Sequence, residues 1–177
     1  WERFCELQVA FLKASAPDTE VTTDRGILAC IYNAALRHDV KYILTGSNIF
    51  TDGLLPDSCG YGTTDWKFIQ YIHRRFARCG TLKAYPHFSL LKYAYLTFIK
   101  RLKRISFLNY LDYQNNQAVT ELKNKIGYRE YANKHYESIF TRFFQSYILP
   151  EKFNYDKRRA HFSVLILSGQ LTRSDAL

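Results

Sequence analysis

The sequence has no methionine, only two tryptophans, and four cysteines, Cys5, Cys30, Cys59 and Cys79, that stand far apart. No C-x-x-C pair and no closely spaced histidine accompanies them, which excludes the usual zinc spacings. Four cysteines are too sparse for a disulfide framework in a chain of this size, so they read as reduced, mostly buried thiols. No stretch approaches the roughly 20 continuous apolar residues of a membrane span, and the first residues do not read as a signal peptide. The expectation is a soluble cytoplasmic protein. Acidic residues are also in the minority, 16 against 25 Lys+Arg, for a net charge of +9.

What is present describes a globular chain. Its 177 residues are 47% apolar and 16% aromatic, with 14 Tyr and 13 Phe, far from a disordered composition and long enough to bury a core. The positive charge is uneven: residues 100–177 hold 14 basic and 7 acidic side chains, a net +7. An anionic partner is expected there. At the ends, Trp1 opens a helical pattern through Phe4, Leu7 and Phe11, and "LTRSDAL" stops just after a helix-start signal at Thr172 with Asp175 three residues on. Both ends are therefore expected to be cuts in a longer protein.

Periodicity places the elements between. A second helix is expected near 24–37, capped by Thr22, Thr23 or Asp24 and apolar nearly all round, hence packed on both sides. Val40 to Thr45 has the length and bounds of a buried strand. A helix running into such a strand suits an α/β arrangement with a parallel sheet. "GYGTTDWKFIQYIHRRF" reads as a loop and a Thr-capped helix, and a longer helix is expected from Ser89 to Lys103. "FLNYLDY" reads as a connector, and "NQAVTELKNKIGY" as a helix ended by Gly127 in the left-handed conformation. In "ANKHYESIFTRFFQSYILPEKF" a 100° period puts Tyr136, Ile139, Phe140, Phe143, Phe144 and Tyr147 on a packed side, with Lys134, Ser138, Thr141, Arg142 and Gln145 opposite and His135 and Glu137 at the margins.

Two stretches carry candidate chemistry. "KYILTGSNIFTDGLLP" ends its strand in small polar residues, and ligands of open parallel sheets bind outside the carboxyl ends of strands. Gly46 permits close approach there, while Ser47 and Asn48 offer donors and acceptors. The alternative is an ordinary strand-to-loop turn. "DKRRAHF" sets Lys157, Arg158, Arg159 and His161 within five residues, either an exposed charged turn or an anion site.

"GILACIYNAALRHDVKYILTGSN", "LLPDSCGYGTTDWKFIQYIHRRF", "LKAYPHFSLLKY", "LNYLDY", "KHYESIFTRFFQSYILPEKF" and "DKRRAHFSVLILSGQLTR" together resemble the N-acetyl sugar amidotransferase family of bacterial lipopolysaccharide and surface-polysaccharide biosynthesis. The resemblance implies an α/β fold, a partial adenine nucleotide alpha hydrolase-like parallel sheet followed by a mainly α-helical C-terminal region. On this division residues 1–60 are the end of the nucleotide-binding domain and 61–177 a helical substrate or partner region. It implies an ATP-dependent enzyme of the PP-loop pyrophosphatase kind, with Mg2+, that converts an acetamido group of a nucleotide-linked or related N-acetyl sugar to acetamidino. Ammonia is implied to come from a glutaminase and cyclase-like partner pair. By position in the family's blocks, Lys134, His135, Glu137, Arg142 and His161 are candidate catalytic residues. Gly46, Ser47, Asn48, Asp52, Lys157, Arg158 and Arg159 are candidate cofactor-binding residues, Asp52 with a role near Mg2+; Thr51 lies beside it. No protein metal site is expected. The family's S-G-G-x-D-S pyrophosphate loop is absent from these residues, so it is expected upstream and the chain alone is expected to be inactive. Other readings are a PP-loop enzyme acting on tRNA or a metabolite, and a basic nucleic-acid-binding module. The last is disfavoured because the aromatics fall on helical faces that core packing explains; a steep salt dependence of oligonucleotide binding would revive it.

Overall fold

A computed structural model describes residues 2–52, 65–77, 81–131 and 138–176. Among these the chain is mostly helical, with one small two-stranded parallel sheet. The α/β expectation holds in that reduced form. The described residues fall into two compact units, 1–43 with 56–105 and 44–55 with 106–177. No helix among them is long and apolar enough to cross a membrane.

In the first unit, α1 (Glu2–Lys13) buries Leu7, Ala10 and Phe11, the stripe that its apolar spacing predicts. α2 (Val21–Arg37) starts earlier than expected. The Asp18 carboxylate accepts the amide hydrogens of Glu20 and Val21 at 3.2 and 3.3 Å, taking the capping role expected of Thr22, Thr23 or Asp24. Thr22 instead donates back to the Thr19 carbonyl, inside the helix. α1 approaches α2 at Gly26, where a Cβ would sit 2.6 Å from the Phe4 ring. α3 (Trp66–Phe76) is capped by Asp65, which accepts from the Phe68 amide at 3.0 Å, rather than by a threonine; Thr63 and Thr64 lie outside the described residues. Ile69 and Ile72 of α3 join Leu7, Phe11, Val21 and Tyr85 in one core cluster. Each such side chain contributes about 1.5–3 kcal/mol by leaving water.

A second cluster sets Ala29, Tyr32 and Ala35 of α2 against Phe88, Leu96 and Leu102. The rest of α2 corrects an expectation. Ile27 and Ile31 are 52% and 41% exposed, and Cys30 is an exposed thiol, so the helix is not packed all round. Spacing of three and four residues puts these side chains on one stripe, and no described element covers it.

The helix expected over 89–103 also ends early. α4 (Leu90–Ala94) runs through a π-helical turn, Tyr95–Ile99. Arg101 then turns left-handed (φ 53°), the Leu102 amide closes onto the Leu96 carbonyl, and the Lys103 amide already bonds the Lys41 carbonyl at 2.8 Å. This begins β2 (Lys103–Ser106), which pairs with β1 (Tyr42–Thr45). β1 is entered in the same manner: Asp39 is left-handed (φ 49°) and the Val40 amide bonds the Ala35 carbonyl, so Val40 finishes α2 instead of starting the strand. Each strand therefore follows a helix through one left-handed residue.

In the second unit, α5 (Asn115–Ile126) ends at Gly127 with φ 67°, as the sequence predicts. α6 (Ile139–Phe143), a π turn (Phe144–Ile148) and α7 (Leu149–Phe153) form one continuous helical run, capped by Ser138. The expected aromatic face is corrected here. Ile139, Phe143 and Tyr147 are 87%, 51% and 56% exposed, while Phe144, Leu149 and Thr141, the last assigned to the polar side, are buried. A π turn inserts an extra residue and rotates the faces before and after it, which a fixed 100° period does not register. Tyr136 lies outside the described residues. α8 (Lys157–Leu167) starts at Asp156, and α9 (Arg173–Ala176) starts at Thr172, whose hydroxyl accepts from the Asp175 amide as expected.

Candidate functional site

Parallel strands present their last residues side by side. β1 ends on Thr45 and β2 on Ser106, whose hydroxyl oxygens lie 3.2 Å apart. Ser47, two residues past β1, closes a triangle at 2.9 Å from Thr45 and 3.0 Å from Ser106. Three hydroxyls in such a ring can each donate once and accept once and still keep a lone pair free. Rotation about one C–O bond redirects a proton outward. The ring is thus a ready donor and acceptor set for sugar hydroxyls or phosphate oxygens at the carboxyl edge of the sheet. Gly46 leaves the approach open: it is exposed, and a Cβ there would meet nothing within 4 Å.

The loop behind is held by the two remaining candidates of this stretch. Asn48 is 6% exposed, and its Oδ1 accepts from the amides of Phe50 and Thr51 at 3.0 and 2.9 Å. The Asp52 carboxylate accepts the Asn48 amide hydrogen at 2.8 Å. The Ile49 amide donates to Asn109 Oδ1, and the Phe50 carbonyl accepts from Ser168 Oγ at 3.0 Å. Asn48 and Asp52 are therefore the frame of the loop, and Gly46 and Ser47 its face. Among the described residues no group of three or more His, Cys, Asp or Glu could hold a metal ion, and Asp52 is engaged with the backbone.

The basic block lies elsewhere on the same unit. Asp156 caps α8 through the Arg158 amide, and the Arg158 side chain grips both carboxylate oxygens, Nε to Oδ1 at 2.9 Å and Nη2 to Oδ2 at 2.7 Å. Those hydrogen bonds hold the Asp156 carboxyl below its ordinary range. Lys157 is half-buried, Arg158 and Arg159 are exposed, and His161 is half-buried one turn on, its ring tilted against Phe162. At 1.5 Å per residue, α8 separates Lys157 from Ser168, the residue that touches the strand-end loop, by about 16 Å. Arg142 is exposed on α6; Lys134, His135 and Glu137 lie outside the described residues.

Sequence reasoning missed Ser106, Asn109 and the role of Thr45. β2 is a four-residue strand, KRIS, with two exposed cations, and it follows its helix without a glycine or proline to mark the break. Its partner is 58 residues earlier at the closest, a distance over which no local periodicity operates.

Residues 137–177 match the family model described as LPS biosynthesis protein WbpG-like, C-terminal domain. The match takes in α6 to α9, with Arg142, the 157–159 block and His161. No curated protein and no solved structure matches the chain.

Proposed function

We propose that this chain is part of an ATP-dependent amidotransferase of lipopolysaccharide or surface-glycan biosynthesis, acting on an N-acetyl sugar. The observation that carries the reading is the match of residues 137–177 to a C-terminal domain named for LPS biosynthesis. The resemblance of the other sequence blocks to N-acetyl sugar amidotransferases and the hydroxyl set at the strand edge support it. In this reading the acetamido oxygen attacks the α-phosphate of ATP and pyrophosphate leaves. Ammonia from a glutaminase partner then adds to the activated carbon, and the C–O bond breaks. The oxygen departs on AMP, and an acetamidino group remains. ATP carries Mg2+ on its own phosphates, and no step is assigned to the ion because the described residues offer it no ligand set.

The chain's own contribution is donors and charge. Ser47 and the Ser106 hydroxyl orient a sugar or phosphate oxygen at the strand edge. Lys134, Arg142 and Arg159 offset developing negative charge, and His135 or His161 takes a proton from the incoming ammonia. Mass analysis of full-length protein incubated with ATP, Mg2+, ammonia and nucleotide-linked N-acetyl sugars tests this. The expected product is about 1 Da lighter than the sugar, O replaced by NH, with AMP in equal amount. Lys134→Ala should lower turnover by about 10²–10³ and Lys123→Ala should not. AMP formation with no change in any acetamido sugar, or equal losses in the two variants, refutes the proposal.

A further inference from the structure

The first unit contains a cleft of about 500 Å³ between α3 and the short turn that follows it in the described chain. Its volume falls within the roughly 300–1,000 Å³ of small-molecule sites. Gln70, His73 and Arg74 line one wall, three and four residues apart and hence on one face of α3. Thr81, Lys83 and His87 line the other. Among the described residues that line it there is no carboxylate.

Arg74, Thr81 and Lys83 are exposed, and three observations point to a ligand at this lining. Arg74 and Lys83 have no ion pair among the described residues, although both converge on the cleft. Nε2 of His73 is buried without a hydrogen-bond partner among the described residues, a state that costs free energy unless something fills it. His87 is fixed: its ring stacks on Trp66 at 4.1 Å, and its Nδ1 bonds the Tyr85 carbonyl at 2.8 Å, which leaves Nε2 as its remaining polar atom. Arg74 and Lys83 carry like charge on one cleft, no described lining residue carries a carboxylate, and an anion bound between them offsets their mutual repulsion.

We infer that this cleft binds a phosphoryl group borne by a small molecule of the size of a sugar phosphate or mononucleotide. Phosphate has more acceptor positions than carboxylate. It can engage the planar fork of Arg74, the point charge of Lys83, the Thr81 hydroxyl and the Gln70 amide together. Thr81 already accepts from the Lys83 amide at 3.3 Å, and its own proton is free to donate. The inference needs no amidotransfer, since it is read by binding without turnover.

The test is titration of the whole chain with pyrophosphate, a hexose 1-phosphate, UMP, glucuronate and N-acetylglucosamine, followed by tryptophan fluorescence and by amide NMR shifts. Saturable binding of the hexose phosphate or UMP is expected, with shifts centred on residues 70–74 and 81–87. Arg74→Gln and Lys83→Gln should each weaken it about tenfold or more, because each removes a charge-assisted hydrogen bond. Arg75→Gln removes the same charge from the same helix, from a residue as exposed as Arg74 but outside the lining, and should weaken binding less than about threefold through the general field alone. Far-UV circular dichroism confirms that each variant is folded. The inference is overturned if no phosphate compound saturates by about 20 mM, where affinity would lie below the millimolar range. It is equally overturned if glucuronate binds as tightly as the hexose phosphate, or if Arg75→Gln costs as much as Arg74→Gln.

Discussion

Replacing Tyr85 separates a hydrogen bond from a packed ring at the centre of the first unit. Tyr85 is 2% exposed, its hydroxyl donates to the Thr22 carbonyl, and its ring lies parallel to Trp66 at 5.7 Å and tilted against Phe4 at 5.2 Å. Tyr85→Phe keeps every ring contact and loses one buried hydrogen bond, a cost of about 0.5–1.5 kcal/mol. With a urea slope of about 1–3 kcal/mol/M, the unfolding midpoint should fall by roughly 0.2–1.5 M. Tyr85→Ala also empties the ring's volume and should cost about 3–5 kcal/mol, a large share of a typical 5–15 kcal/mol stability. Alkaline pH adds a second readout. Burial raises the phenol above its ordinary value near 10, as it also does for Tyr32. The folded state holds that proton more tightly, so the contribution is complete below about pH 10 and falls as pH rises further, where the unfolded chain ionises first. The gap between wild type and Tyr85→Phe in urea unfolding, followed at 222 nm, should therefore narrow between pH 8 and pH 11. A gap that stays constant or widens, or a Phe variant as costly as the Ala variant, would refute the reasoning.

Gly127→Ala should lower stability by about 1–2 kcal/mol, seen as a lower thermal midpoint, because φ 67° crowds a Cβ; an unchanged midpoint would contradict the left-handed cap. Asn48→Ala should cost about 1–3 kcal/mol in urea unfolding, since it strands the Phe50 and Thr51 amides, whereas Ser106→Ala, in a partly solvated hydroxyl ring, should stay within about 0.5–1 kcal/mol. The reverse order would mean that Asn48 is no frame residue. Asp156→Ala should cost about 0.5–2 kcal/mol at neutral pH through the lost cap. The folded-state value of this carboxyl is depressed, so its contribution is present above about pH 4 and lost as pH falls. The variant should accordingly show a shallower acid loss between pH 5 and pH 2, and identical acid profiles would remove the Arg158 pair as its cause.

Local chemistry by itself determined that helices form near α1, α2, α3 and α5 and a strand within 40–45, and it set the Gly127 stop and the Thr172 start. It misassigned the caps of α2 and α3, and the strand expected to be buried has Tyr42 and Leu44 58% and 66% exposed. Apolar spacing, a capping side chain or a left-handed glycine acts within one or two turns, and the sequence displays all of these directly. The resemblance of residues 137–177 to a biosynthetic C-terminal domain was likewise legible without coordinates. Tertiary structure decided the rest. Whether Ile27 and Ile31 are covered depends on what packs beside α2, and a π turn re-aims Tyr147 and the residues after it without any mark in composition. Thr45, Ser47 and Ser106 meet only because two parallel strands end together, and the cationic cleft exists only because α3 faces residues 81–87. Periodicity reports which face of an element is apolar. The partner on that face, and the side chains that converge from distant strands, are set by long-range packing, which no local pattern encodes.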